Sequence, residues 1–503
     1  GFLGLTWLGF HQVPAGFVPM QDKYYLLSIA QLPAGASLDR TEAVVQQMSE
    51  TALAEPGVES VVAFPGLDVN GAANLPNSAV MFIMLDSFED RKGADLSAHA
   101  IAGRLMGKFS QIPDGFVGVF PPPPVPGLGA MGGFKLQIED RAGLGFNALA
   151  QAQGQIMARA MQTPELAGML ASFQPNAPQV QIDVDRVKAK AQGVPLTAIF
   201  ETMQVNLGSL YVNDFNRFGR TYRVMVQADA PFRQQAENIG QLQVRNATGE
   251  MIPLSSLVTI TRSTGPDRVM HYNGYPSADI SGGPAPGYSS GQATAAIERI
   301  VQETLPPGMT YEWTDLTYQE KAAGNTALIV FPLSVLLAFL ILAAQYNSWS
   351  LPFAVLLIAP MALLSAIGGV WISGGDNNIF TQIAFVVLVG LAAKNAILIV
   401  EFARAKEQEG MEPLPAVLEA AKLRLRPILM TSIAFIAGVI PLVIASGAGA
   451  EMRHAMGIAV FAGMLGVTLF GLILTPVFYV AVRRFAVRRE ARQPSAPLSE
   501  QNA

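Results

Sequence analysis

The sequence predicts an α+β membrane protein: two split-βαβ (βαββαβ, ferredoxin-like) subdomains, the second carrying an insertion, precede an all-α bundle of five transmembrane helices. Three observations lead to this fold class. Strand and helix patterns recur in the same order twice before residue 320, and the second copy is interrupted at 186–266. Residues 322–375 contain no charged residue. The whole chain of 503 residues is 50% hydrophobic and only 14% charged, which is not the composition of a soluble protein.

The first subdomain is predicted from alternating apolar stretches and two amphipathic ones. Its elements are a strand at 24–31, a helix at 38–54 opened by Ser37 and Asp39, strands at 58–64 and 79–86, a helix at 94–110 and a strand at 115–120. The order βαββαβ is that of the split βαβ unit.

The second subdomain begins in the same way and is completed after the insertion. Its predicted elements are a strand at 134–139, a helix at 147–161, a strand at 178–184 and then a strand at 277–282, a helix at 292–304 and a strand at 309–315. Within the insertion, two alternating stretches flank a polar bend at 211–229, which predicts a long hairpin. This hairpin is either an arm that docks on a neighbouring subunit or an ordinary edge hairpin.

Five segments are apolar enough to cross a bilayer. Two lie between 322 and 375, separated by the polar turn 345–350, and the others are at 379–402, 426–446 and 455–482. Lys and Arg accumulate after the third and fifth spans, so these ends are predicted to be cytoplasmic and residues before about 322 extracytoplasmic. The first ten residues are apolar but too short for a span. We expect them to be the outer end of a helix that starts upstream, in a longer protein.

Several function classes find no support in the sequence. The net charge is −5 and no basic stripe suggests nucleic-acid binding. Cysteine is absent, so disulfides and thiolate metal sites are excluded. There is no GxxxxGK[ST] loop for ATP and no HExxH or nucleophile motif, and the four histidines are scattered, so an enzyme is not predicted.

Lys394 is the most informative residue, because it lies inside the apolar run 385–400. A charge deep in a membrane helix costs roughly 2.5 kcal/mol or more, and such residues usually pair with a carboxylate and mark an ion or proton path. Glu401 is seven residues away, about 10 Å along a helix, and is a poor partner. The alternative is that Lys394 snorkels toward the interface near Arg404, about 15 Å away.

Four segments carry a resemblance to a known family: YVNDFNRFGR at 211–220, PAPGYSSG at 284–291, LAAKNAILIVEFA at 391–403 and RLRPILMTSIAF at 424–435. Together they resemble the hydrophobe and amphiphile efflux branch of the resistance-nodulation-division transporters. The resemblance runs in order from about Pro14 to Arg484 and covers what would be the C-terminal half of such a pump.

The resemblance implies a proton-driven homotrimeric exporter of the bacterial inner membrane with a large periplasmic domain. Such a pump takes amphiphilic small molecules from the periplasm and outer leaflet to an outer-membrane channel protein, with a periplasmic membrane-fusion adaptor as a further partner. It needs no cofactor beyond the proton motive force.

The implied domain organisation follows the predicted elements. It comprises the end of a transmembrane helix (1–12), a first porter subdomain (13–126), a second porter subdomain in two parts (127–185 and 267–320), a docking-domain insertion (186–266), five transmembrane helices (321–484) and a cytoplasmic tail (485–503).

By motif, the resemblance assigns a proton relay to Lys394, Arg424 and Thr431. Their partners would be two neighbouring aspartates, which we expect in a preceding half, so this chain alone would not transport. Thr431 could instead hydrogen-bond to its own helix, and Arg424 could be a positive-inside anchor.

The resemblance also implies an apolar substrate pocket and a docking arm. A flexible loop at 64–76 would divide the pocket. The pocket positions are Phe64, Leu67, Val69, Phe82 and Phe120, with Gln174 and Asn176 on the access side. Leu67 and Val69 stand where well-known drug pumps have phenylalanine, and ordinary core packing is the alternative for the phenylalanines. The docking hairpin would present Asn213, Asp214, Phe215, Arg217 and Arg220 to the next subunit.

Two other functions remain open. One is a non-transporting, membrane-anchored assembly or scaffold subunit. The other is an exporter of the same superfamily for another substrate class such as metal ions, which would be expected to carry more charged groups in its membrane helices and clustered methionines.

Overall fold

A computed structural model describes residues 2–69, 71, 73–324 and 326–490, without the side chains of 327, 328 and 485–490. The chain forms two compact units. One comprises Gly1–Ser172 with Met270–Ala503, and the other is Phe173–Val269.

The chain begins with a short apolar helix, α1 (Phe2–Gln12). The Phe10 ring lies 5.4 Å from that of Phe385, in the third predicted span. The hydroxyl of Thr6, a buried residue, donates to the carbonyl oxygen of Pro360 at 3.4 Å. The apolar N-terminus therefore packs against the predicted membrane helices.

The first subdomain has four strands and two helices in the order βαββαβ. They are β1 (Tyr25–Gln31), α2 (Leu38–Leu53), β2 (Val58–Asp68), β3 (Ala73–Leu85), α3 (Ala98–Phe109) and β4 (Phe116–Phe120). The sheet order is β2-β3-β1-β4, and all pairs are antiparallel. Both helices begin after a serine, Ser37 or Ser97, whose hydroxyl accepts a first-turn N–H. The cap at Ser97 explains why α3 starts later than the predicted 94–110.

The two faces of this sheet are covered differently. Leu26 and Ala30 of β1 face the two helices and join their core. Leu27 and Ile29 alternate to the opposite face, where they pack with Val80 in a separate cluster. This second face carries most of the predicted pocket residues.

The segment 64–76 is strand over most of its length, so the prediction of a loop was wrong for those residues. β2 and β3 continue as a hairpin in which Leu67 pairs with Asn74 and Asp68 with Ala73, after an irregularity at Pro65 and Leu67. This extension was not predicted, because Pro65 and Gly66 break the alternation of apolar residues and the glycines and asparagines that follow are typical of loops. Residues 70 and 72 lie outside the described residues.

A second sheet begins with β5 (Phe134–Asp140), α4 (Phe146–Ala160) and β6 (Leu166–Leu170). β6 was not predicted. It is short and contains a central glycine, which weakens the strand signal.

The unit Phe173–Val269 contains six strands, two of which form a hairpin, and two α-helices. They are β7 (Ala177–Val184), α5 (Arg186–Ala191), α6 (Leu196–Met203), β8 (Leu210–Arg217), β9 (Arg220–Val226), β10 (Gln243–Arg245), β11 (Met251–Pro253) and β12 (Val258–Gly265). β7 pairs along its whole length with β12. The prediction that 178–184 belongs to the second subdomain was therefore wrong. Ile182 and Val184 of β7 pack on the core of this unit instead.

The second sheet is completed by β13 (Met270–Tyr272), β14 (Tyr275–Pro284), α7 (Ser290–Thr304) and β15 (Met309–Thr314). Its main strands lie in the order β6-β14-β5-β15, which repeats the order of the first sheet. A capping box between Ser289 and Gln292 starts α7.

The remaining helices are α8 (Asp315–Ala323), α9 (Thr326–Tyr346), α10 (Leu351–Leu356), α11 (Ala359–Ile372), α12 (Ile379–Gln408), α13 (Pro413–Val443) and α14 (Ala450–Glu490). In the described part of the chain, five segments are long and apolar enough to span a membrane, the number predicted. They are Ile329–Tyr346, Leu351–Ile372, Ile379–Gln408, Pro413–Val443 and Ala450–Arg484.

The helix of the fourth span starts at Pro413, well before the predicted 426. Composition marks where a helix enters the hydrocarbon, whereas the helix itself begins where Pro413 can take the first helical position. As a result, Lys422, Arg424 and Arg426 all lie on regular helix.

Candidate functional site

Lys394 is presented on an open side of α12. Its neighbours Ala393, Asn395 and Ala396 are buried, whereas the Lys394 side chain is exposed. Among the described residues it has no hydrogen-bond or ion-pair partner. The described part of the helices therefore leaves the charge of Lys394 without compensation in an apolar helix, where a charge usually has a partner.

A buried hydrogen bond joins the two helices beside Lys394. The Asn395 amide nitrogen on α12 donates to the Ser432 hydroxyl on α13 at 3.1 Å. Both side chains are almost inaccessible, at 4% and 1% exposed. Because Asn395 follows Lys394 and Ser432 follows Thr431, this bond fixes the two predicted residues at one level of the bundle.

Thr431 makes the local hydrogen bond that was the alternative to a relay role. Its hydroxyl donates to the carbonyl oxygen of Ile428, on the same helix, at 3.1 Å. A hydroxyl has two lone pairs besides its proton, so the oxygen of Thr431 can still accept a hydrogen bond.

Arg424 is held by an aromatic ring. Its guanidinium carbon lies 3.6 Å from the ring centroid of Phe402 on α12, which is a close cation–π contact. Its Nε is buried and has no hydrogen-bond partner among the described residues. Arg424 is two helical turns from Thr431, on the same side of α13. No hydrogen bond joins Lys394, Arg424 and Thr431 to one another within the described chain.

Four of the predicted pocket residues meet on the face of the first sheet that points away from its helices. Phe120 is 6% exposed, and Phe82, Leu67 and Val69 pack around the same cluster. The strand register explains this, because Leu27 of β1 pairs with Phe82 on one side and Phe120 on the other.

The second sheet closes one side of this cluster. Leu170 of β6 is buried in it. Gly168 of β6 has φ +60°, and a Cβ there would lie 3.1 Å from the Phe120 ring. The glycine thus allows Phe120 to pack between the sheets. Phe64 lies at the rim: its ring is 6.1 Å from that of Phe82, edge to face, and the residue is 44% exposed.

Gln174 and Asn176 belong to the unit Phe173–Val269. The carbonyl oxygen of Gln174 accepts from the Asp267 N–H at 3.1 Å, and Asn176 is exposed. Their assignment to the pocket stays a prediction.

The predicted hairpin is confirmed as β8 and β9, and every residue of both strands is exposed. Phe218 and Gly219 form its two-residue turn with positive φ at both positions, as a type I′ hairpin requires. The rings of Phe215 and Tyr222 stack across the strands at 5.5 Å. The hairpin is therefore ordered by local contacts yet covered by nothing in its own unit.

The sequence matches the model of the AcrB/AcrD/AcrF family over residues 1–483. The chain belongs to this family.

Relatives of known name agree with this assignment to the AcrB/AcrD/AcrF family. The multidrug export protein AcrF of Escherichia coli (strain K12) is 41% identical over 482 residues, which cover 94% of this chain and 46% of the relative. The multidrug/solvent efflux pump membrane transporter MepB of Pseudomonas putida is 39% identical over 497 residues, 98% of this chain and 47% of the relative. The multidrug resistance protein MdtF of Escherichia coli (strain K12) is 39% identical over 483 residues, 95% and 46% of the two chains.

The chain thus spans about half the length of the relatives it matches. Its five apolar helices and its membership of the AcrB/AcrD/AcrF family identify it as a membrane protein.

Sequence reasoning missed three residues that organise this site: Asn395, Ser432 and Phe402. The signals were present, since Asn395 and Ser432 are polar residues inside apolar runs, each next to a residue that had been singled out. Phe402 carried no such signal, because one more aromatic residue in an apolar helix predicts only packing or lipid contact.

Proposed function

We propose that this chain forms the C-terminal half of a proton-driven exporter of hydrophobic and amphiphilic compounds in the bacterial inner membrane. The observation that carries the proposal is Lys394, a cation that lies on the open side of an apolar helix and has no hydrogen-bond or ion-pair partner among the described residues. Such residues usually pair with an opposite charge, and the preceding half is where we place that charge.

The proposed proton step is a change of pairing at Lys394. Carboxylates from the preceding half pair with its ammonium group when they are ionised. A proton that enters from the outside and binds one carboxylate oxygen removes that charge and weakens the pair. When the proton leaves to the cytoplasm, the pair forms again. Because the Asn395–Ser432 bond joins α12 to α13, a shift at Lys394 is transmitted to Thr431 and Arg424.

The proposed substrate surface is the cluster around Phe120, Phe82, Leu67 and Val69. It is built from aliphatic and aromatic side chains, which suits molecules that bury apolar area and have few fixed polar groups. In the proposed path, compounds enter from the periplasm or the outer leaflet and leave toward an outer-membrane channel protein. Gln174 and Asn176 are proposed on the access side.

The proposed assembly is a homotrimer that works with a periplasmic adaptor protein. The exposed hairpin supports it, because an ordered hairpin with apolar residues on its surface is stabilised further when a neighbouring subunit covers it. Asn213, Asp214 and Arg220 would then contact the next subunit.

The test is dye efflux from vesicles that contain the purified full-length pump and an imposed pH gradient. We expect efflux that stops when the gradient is collapsed and that is abolished by Lys394→Ala. The matched control is Lys406→Ala on the same helix, whose amine already pairs with Glu409 at 2.9 Å, and which should keep wild-type efflux.

Full efflux by the Lys394→Ala protein would remove the relay role of this residue. Absence of gradient-driven efflux of any amphiphilic dye by the wild-type pump would support the scaffold alternative instead.

A further inference from the structure

The basic end of α13 carries a groove that the proposed proton and substrate paths do not use. It is shallow and open, because one side of a single helix forms it. It is lined by Lys422, Leu425, Arg426, Leu429, Met430, Ile433 and Ala434. Two cations thus lie at one end of an otherwise apolar surface.

The two cations differ from most basic residues at this end of the bundle. Lys422 and Arg426 are one helical turn apart, both are exposed, and neither has a hydrogen-bond or ion-pair partner in the described chain. Their neighbours are engaged: Arg404 donates to the Tyr346 carbonyl, Lys406 pairs with Glu409, Arg424 stacks on Phe402 and Arg483 pairs with Glu407. The groove therefore presents two free donors side by side.

The apolar part of the groove continues along the same side of the helix. Residues three and four positions apart align on a helix, so Arg426, Met430 and Ile433 form one stripe, which is about 10 Å long. Met430 and Ile433 are 65% and 61% exposed. This stripe is as apolar as a lipid chain and runs from the charged end toward the centre of the span.

The groove also faces away from the proposed relay. Each residue turns a helix by about 100°, so Arg426 lies about 200° around α13 from Arg424. A partner that reaches Arg424 and Thr431 therefore approaches the side of α13 opposite to Lys422 and Arg426.

We propose that this groove binds an anionic phospholipid of the leaflet at the basic end of the bundle, which the positive-inside rule makes the cytoplasmic one. The lipid phosphate lies between Lys422 and Arg426, and an acyl chain follows Leu429, Met430 and Ile433. Charge complementarity selects the anionic headgroup, since two unpaired cations attract a phosphate without a neutralising choline. The site does not depend on which compounds the protein exports.

The test is native mass spectrometry of the full-length protein in detergent, titrated with phosphatidylglycerol or phosphatidylcholine. We expect preferential retention of phosphatidylglycerol. Each basic residue near a membrane surface contributes roughly five-fold in binding, so Lys422→Ala with Arg426→Ala should weaken retention roughly 30-fold. The swap Lys422→Arg with Arg426→Lys keeps both charges and should keep binding, and its melting temperature without lipid checks the fold.

Arg484→Ala is the matched control, because Arg484 is exposed and basic at the same end but lies outside the groove. It should bind phosphatidylglycerol as the wild type does. An equal loss in this control, no loss in the double alanine variant, or displacement of the lipid by an equal concentration of inorganic phosphate would each overturn the proposal.

Discussion

The amide of Asn395 donates to the hydroxyl of Ser432 at 3.1 Å in the buried contact between α12 and α13. Each residue immediately follows one that family resemblance assigns to the proton relay. The bond therefore sets the height of Lys394 against Thr431, although no hydrogen bond joins these two residues in the described chain. Positioning at this level comes from a neutral pair, since neither an amide nor a serine hydroxyl takes up or releases a proton in the physiological pH range.

Breaking this pair should show a small but measurable coupling. Hydrogen bonds between membrane helices contribute about 0.6 kcal/mol on average and at most about 1.7 kcal/mol. In a double-mutant cycle with Asn395→Ala and Ser432→Ala, followed by unfolding in mixed detergent micelles, we expect a coupling energy in that range. Strictly additive effects of the two substitutions would show that the bond does not link the helices.

Thr431 offers a sharper test of relay against local structure. Thr431→Val keeps the shape but removes the hydroxyl, whereas Thr431→Ser keeps the hydroxyl. A bond to its own helix adds little stability, so both variants should unfold like the wild type. We expect gradient-driven efflux to fall in Thr431→Val and to be kept in Thr431→Ser. Equal efflux by the two variants would leave the bond to Ile428 as the whole role of this hydroxyl.

Phe120 can be tested against Phe109, a phenylalanine that is also buried but has different surroundings. Phe109 is completely buried on the helix side of the first sheet, whereas Phe120 lies in the cluster on the opposite face. Phe120→Leu and Phe109→Leu should both lower the melting temperature by a few degrees, since each leaves a small cavity. Only Phe120→Leu should change which compounds are exported, measured as resistance at matched expression. If both variants changed the set of compounds to which the cells are resistant, the change would be attributed to lower stability and not to the pocket.

The sequence was sufficient where its patterns were regular. The strand and helix order of the first subdomain was predictable from periodicity, as was that of the second apart from β6, and five membrane spans were predictable from the long apolar runs. Prediction from the sequence failed where the place of a strand depends on which other strand it pairs with. β6 is too short to be recognised as a strand from its sequence. The sequence of β7 alternates like that of any strand, so nothing in it shows that β7 pairs with β12.

The candidate site likewise contains residues that the sequence alone identifies and contacts that it does not. A lone charge in an apolar run singles out Lys394 without any structure. The contact between Arg424 and Phe402 depends on how two helices cross, which a single sequence does not encode. The packing of Leu67 and Val69 with Phe120 depends on the hairpin of β2 and β3, which the glycines of that segment concealed.

Glu55 should make the stability of the first subdomain sensitive to acid. Its buried carboxylate accepts from Arg104 at 2.5 Å and from Lys108 at 2.6 Å, both on α3. Burial alone would raise its pKa, but the hydrogen bonds from Lys108 and Arg104 outweigh that and lower the pKa below the ordinary value of 4.5. With the folded pKa below the unfolded one, this stabilisation is complete above about pH 4.5 and is lost as the pH falls through the folded pKa.

We therefore expect Glu55→Gln to be less stable at pH 7, by about 1.5–3 kcal/mol for hydrogen bonds to a charged group, and to lose less stability on acidification than the wild type. Melting temperatures of the purified protein between pH 3.5 and pH 7 measure both effects. Glu303→Gln is the control, because Glu303 pairs with Arg159 at the exposed surface and should change neither. If the melting temperatures of the wild type and of Glu55→Gln fell equally on acidification, the stabilising role of the Glu55 carboxylate would be contradicted.

The hairpin of β8 and β9 should be needed for assembly and not for folding. All its residues are exposed, so replacing residues 213–220 by a two-residue turn removes no buried contact of its own unit. We expect the shortened protein to keep its melting temperature and to change from trimer to monomer in mass photometry.

Phe215→Ser with Phe218→Ser should also weaken the trimer, because these rings would be buried by the next subunit. The control pair, Val187→Ser with Phe232→Ser, removes two exposed apolar side chains from the same unit outside the hairpin and should leave the trimer intact. An unchanged mass after shortening would identify β8 and β9 as an ordinary edge hairpin.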